Sequence, residues 1–118
     1  MDAHFQFEEL KVYQKALAFI DRVYVVTEKF PHTELYSLTS QFKRAANSIA
    51  LNIGEGSGGT KKEFSQFLRI AFRSLRERVV CIQIAAMRNY IDNTVMNELR
   101  IMLEEISKML TGLINSLG

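Results

Sequence analysis

Backbone breakers in this chain are few and clustered. Pro31 is the only proline, and five of the six glycines fall at 54–59 or at the C-terminus. Each uninterrupted stretch between them is long, so its apolar period decides what it becomes. Leu10, Tyr13, Leu17, Ile20 and Tyr24 recur at three- and four-residue steps, with Val12, Ala16, Phe19, Val23 and Val26 as a second stripe beside them. That spacing predicts a first helix over about Glu8–Lys29. A second, over about Glu34–Glu55, turns Leu38, Phe42, Ala45 and Ile49 inward, with Thr33 placed to cap it. A third begins at Thr60, whose partner three residues on, Glu63, completes a capping box. It runs through Phe64, Leu68, Ala71, Leu75, Val79, Ile82 and Ala86 to about Asn89. The fourth opens at Asp92 or Asn93 and lines up Val95, Leu99, Met102, Ile106, Met109, Leu113 and Leu117.

No segment alternates with a period of two, so no strand is predicted. Short connections between four helices favour antiparallel neighbours. The expected fold is all-α, an antiparallel up-down-up-down four-helix bundle, with residues 1–118 as one domain. The first and fourth helices carry more apolar surface than one core-facing stripe needs, the fourth adding Met96, Leu103, Leu110 and Ile114. The surplus predicts a second buried surface, and hence self-association.

Charge is unevenly placed. The chain is only +2 overall, yet residues 60–90 hold seven bases against Glu63 and Glu77. Lys62, Gln66, Arg69, Arg73 and Arg76 step by four and three along one face of the third helix, with Lys61 beside them and no acid in the row. The first helix offers a thinner counterpart in Lys11, Lys15 and Arg22. A solvated face ordinarily mixes signs, whereas a one-signed row suits a phosphate backbone. The alternative is a face neutralised by acids of other helices, or one that meets an acidic protein. On the second helix Gln41, Arg44, Ser48, Asn52 and Glu55 form a polar row beside core positions. Gln41, Ser48, Asn52 and Glu55 are read as an interhelical network, because buried polar groups need partners; a partner contact is the other reading.

Several chemistries find no support. Gly54-Glu55-Gly56-Ser57-Gly58-Gly59 matches the spacing of a dinucleotide fingerprint, but a helix precedes it where a strand is required. As a helix-helix turn its glycines supply positive φ and helix caps; alternatively, with Lys61 and Lys62, it holds an anion. His4 and His32 lie outside the expected helices and have no carboxylate three residues earlier, so a di-iron bundle is not indicated. Cys81 sits among aliphatic residues and reads as a small buried hydrophobe. No catalysis, cofactor or metal is expected. A lone cysteine, no membrane-length apolar run and no signal-peptide pattern at Met1-Asp2-Ala3-His4 give a cytoplasmic expectation.

With these residues set out, nearly the whole chain resembles the four-helix-bundle proteins encoded within intervening sequences of bacterial 23S rRNA genes. The resemblance rests on Phe7-x-x-Leu10, Phe30-Pro31-x-x-Glu34 and Leu38-Thr39-x-Gln41. Above all it rests on Ser48-Ile49-x-x-Asn52-Ile53-x-Glu55-Gly56 and Phe67-Leu68-x-Ile70-Ala71-x-x-Ser74-Leu75-x-Glu77. The same family looks to include the accessory variability proteins of diversity-generating retroelements, which act beside a reverse transcriptase. The resemblance implies a ring-like homopentamer, RNA or DNA as a partner, a reverse transcriptase or other protein as another, and no established catalysis. There are two departures. Tyr13 stands where tryptophan is frequent, and Phe72-Arg73 stands where Arg-Gly often precedes the serine. The second removes a glycine and moves a positive charge by one position, about 100° around a helix. The working expectation is therefore a homo-oligomeric accessory protein that binds a nucleic-acid backbone through its third helix. The competing one is a protein-protein scaffold with an acidic partner.

Overall fold

In a computed structural model, which describes residues 5–118, four α-helices carry the chain: α1 Lys11–Thr27, α2 Leu38–Gly56, α3 Lys61–Met87 and α4 Asn93–Ser116. Among the described residues there is no strand. α1 packs on α2 and α4, and α3 packs on α2 and α4. Cross-helix pairings fix the directions. Lys15 pairs with Glu105 and Arg22 with Glu98, while Ser74 bonds Ser48 and Arg78 bonds Gln41. In each case the numbers rise on one helix as they fall on the other, the register of antiparallel neighbours.

Helix ends follow local chemistry. Thr60 Oγ1 accepts from the Glu63 N–H at 3.1 Å and Glu63 Oε1 accepts from the Thr60 N–H at 2.9 Å, the expected capping box. Those bonds hold the Glu63 carboxyl below the usual carboxylate range. Asp92 caps α4, its Oδ1 accepting from the Val95 N–H at 2.8 Å.

The α1 and α2 starts differ from expectation. α1 begins at Lys11 because residues Gln6–Glu9 form a 3-10 turn and Leu10 is extended. α2 begins at Leu38, and Thr33 caps nothing: it lies in a second 3-10 turn, His32–Glu34. Ser37 precedes α2 but donates its hydroxyl to Glu34 Oε1 at 2.6 Å. Tyr90 donates to the other Glu34 oxygen at 2.7 Å, tying the α3–α4 turn to the α1–α2 connection. Together these two bonds, Ser37 first, lower the Glu34 pKa.

The glycines of the α2–α3 turn act through size, not through positive φ. Apart from Gly118, the described residue with positive φ is Asn89, at 62°. It closes α3, with the Tyr90 N–H reaching back to the Ala85 carbonyl at 2.8 Å. Gly56 is the last residue of α2 and is buried; a Cβ there would lie 2.5 Å from the Phe67 Cβ, so the two helices meet only over a hydrogen.

Val12, Ala16, Phe19, Val23 and Val26 of α1 are buried, so the second stripe, not the first, is the core face. α4 buries Leu99, Leu103, Ile106 and Leu110, two of them from the residues counted as surplus. Its Met102, Met109 and Leu113 are only partly buried. The α4 surplus is thus largely spent inside the bundle.

Candidate nucleic-acid interface

The row on α3 faces outward. Lys61, Lys62, Gln66, Arg69, Arg73 and Arg76 are all exposed. Among the described residues Lys61, Lys62, Arg69, Arg73 and Arg76 take part in no ion pair, whereas α1 and α4 pair their charges with each other. Lys15 Nζ lies 3.0 Å from Glu105, and Arg22 is bonded to Glu98. Two of the three α1 cations are therefore engaged, and Lys11 is exposed alone. The α3 row is a run of exposed cations along one helix face, with no ion pair among the described residues.

The row also borders a cleft between α3 and α4 of about 370 Å³, lined by Arg69, Phe72, Arg73, Arg76, Thr111, Ile114 and Asn115. The Arg76 guanidinium lies over the Phe72 ring, 5.6 Å from its centroid. Thr111, Ile114 and Asn115 join the row because α4 returns antiparallel along α3; the expected topology implies such a return but not which turn of α4 meets Arg69 and Arg73. Phe72 is one of the departures noted above, and it supplies the cleft with an aromatic wall.

Arg78, counted with the basic segment, is no part of this surface. It has no exposed area. Its Nη1 donates to the Gln41 carbonyl at 3.3 Å and its guanidinium lies 5.1 Å from the Phe42 ring centroid. Nε and Nη2 have no partner. Burial lowers its pKa, partly offset by Cys81 and Glu77. Cys81 is buried as expected, and burial raises its thiol pKa.

The polar row of α2 is divided. Asn52 donates to the Ser48 carbonyl at 2.8 Å and to Ser48 Oγ at 2.9 Å, and Ser74 of α3 donates to the same Oγ at 2.9 Å. This is an interhelical network, but Gln41, Arg44 and Glu55 are exposed and outside it. The ends of the row project past α3 into solvent, and Gln41 reaches α3 through its backbone carbonyl alone.

At the α2–α3 turn the Glu63 carboxylate accepts from the Thr60 N–H and the Thr60 hydroxyl accepts from the Glu63 N–H, so two donors at the start of α3 are already bonded within the chain. Among the described residues no cluster of three His, Cys, Asp or Glu side chains stands where it can hold a metal, and His4 lies outside them. No helix is long and apolar enough to cross a membrane among the described residues.

Apolar surface remains outside in several places. Leu17 and Leu51 are exposed on a groove of about 590 Å³ between α1 and α2, which Phe7, Tyr13 and Ile20 also line. On α3 the exposed row changes character after Arg76, continuing as Val80, Ile84 and Met87, the last 70% exposed. Ile101 of α4 is exposed as well.

Four antiparallel helices with an exposed basic row on α3 define a small four-helix-bundle protein. Residues 8–112 match the family described as 23S rRNA-intervening sequence protein, and the chain belongs to that family. A crystal structure from Bacteroides thetaiotaomicron VPI-5482, described as a protein with unknown function from the S23 ribosomal protein family, is similar in fold. Its TM-score is 0.80 at 23% identity, over 87% of this chain and 97% of that one. No curated protein matches the chain.

Proposed function

We propose that this protein is a non-catalytic, homo-oligomeric binder of RNA or DNA that holds the phosphate backbone along α3. The observation that carries the proposal is the row itself: Lys62, Arg69, Arg73 and Arg76 are exposed together and take part in no ion pair, while Glu98 and Glu105 of α4 are matched to cations of α1. Arginine and lysine placed at three- and four-residue steps meet successive phosphates without reading bases. Lys61 extends the row at the helix start, and Lys11, Lys15 and Arg22 are secondary contacts, two of which must first release their carboxylates.

Self-association is supported by two of the exposed apolar areas. The α1–α2 groove and the Val80–Met87 stripe lie on different sides of the bundle, and a ring needs two different patches that fit each other. We take the ring to be a pentamer, as the family resemblance implies. Repetition of the α3 row around a ring makes a modest contact multivalent along one strand. A cytoplasmic setting suits the single buried thiol of Cys81.

The scaffold reading has one observation in its favour: a polyanion has no use for Val80, Ile84 and Met87 beside the basic row, whereas a protein partner with an acidic and an apolar half does. Fluorescence-anisotropy titration separates the two. Wild type binds labelled RNA and DNA oligonucleotides at low salt, and Arg69→Glu with Arg73→Glu abolishes binding. Helicity is unchanged, because exposed charges contribute about 0–1 kcal/mol to folding. Flat wild-type curves discard the nucleic-acid reading and promote the scaffold.

A further inference from the structure

We infer that the α3–α4 cleft takes an unpaired nucleobase, so that the protein prefers single-stranded nucleic acid to duplex. The inference rests on the nucleic-acid reading above and deepens it. A backbone-only binder needs a flat run of cations. Here the run borders a cleft of about 370 Å³, at the small end of ligand-sized pockets. Its contents are mixed in a particular way. Arg69 and Arg73 supply charge, the Arg76 guanidinium lies over the Phe72 ring at 5.6 Å from its centroid, and Thr111 and Asn115 bring a hydroxyl and an amide from α4.

A guanidinium plane backed by an aromatic ring is a stacking platform for a base. Bases accept such stacking whatever their identity, because each has a π-face. With the phosphate held between Arg69 and Arg73, one turn apart on α3, the attached base turns inward toward Arg76. Its edge then faces groups that both donate and accept hydrogen bonds, the Thr111 hydroxyl and the Asn115 amide. In a duplex the same base is stacked and paired, and enters only if flipped out at an energetic cost. The consequence is a preference set by strandedness, with a weak base preference through Asn115.

The test uses the intact protein and labelled strands of one sequence at about 150 mM salt, a screened condition in which backbone charge alone binds weakly. The expected result is single-strand binding about tenfold or more tighter than binding of the blunt duplex, the range that one stacked base supplies. Abasic sites placed along the strand leave its charge intact and remove that advantage. Arg76→Lys keeps the charge and loses the planar stack, so it weakens single-strand binding several-fold more than duplex binding. Equal affinity for the two forms overturns the inference, as does an abasic strand that binds like the intact one; the backbone reading survives both. Absence of binding to any strand at low salt overturns both readings together.

Discussion

A guanidinium with no exposed surface, as in Arg78, has exchanged its water for one carbonyl at 3.3 Å and the face of Phe42. Two of its nitrogens gain nothing in return. Replacing a whole buried ion pair by apolar side chains of similar volume is often neutral or stabilising by about 1–4 kcal/mol, and Arg78, which is in no ion pair, leaves no opposite charge stranded when it is replaced. Arg78→Met is therefore expected to keep or raise the melting temperature by a few degrees, read by circular dichroism. A fall of more than about 5 °C would mean that the bond to Gln41 and the Phe42 contact outweigh desolvation. The three- and four-residue spacing of the outer row already leaves Arg78 out, and its position shows why. It follows Leu75 by three residues and precedes Cys81 and Ile82, so it falls on the core face; the arginines at 69, 73 and 76 fall on the outer one. Periodicity thus separates Arg78 from the row even though its charge counts among the seven bases of the segment.

At the scale of elements, the apolar period and the punctuation made four helices legible, with boundaries displaced by a few residues where 3-10 turns replace the first turn of α1 and α2. The capping chemistry of α3 and α4 was equally readable, because it lies within three residues. What required the third dimension was contact between helices. The role of Gly56 is one case: a glycine that looked like turn chemistry is a packing device against Phe67. Gly56→Ala is expected to destabilise the fold by about 1–3 kcal/mol, the usual cost of overpacking, and to lower the melting temperature by several degrees. An unchanged melting temperature would show that α2 and α3 separate there at little cost. The cleft between Arg69 and Asn115 is the other case, since no local signal links α3 to the last turns of α4.

At the scale of the whole molecule, the bundle measures 42 × 34 × 23 Å and leaves Leu17, Leu51, Val80, Met87 and Ile101 outside its core. Light scattering coupled to size exclusion should read about five times the 13.6 kDa chain. A monomer throughout the micromolar range would remove the ring and the multivalency built on it. The claim that matters most is that α3 holds a phosphate backbone, and salt tests it directly. Each phosphate neutralised by a cation of the row releases condensed counterions, so the logarithm of affinity must fall linearly with the logarithm of salt. If about five phosphates are engaged, the slope measured by anisotropy is expected near −3.5 for single strands and near −4.5 for duplex DNA. A slope near zero, or no binding at about 50 mM salt, would contradict it.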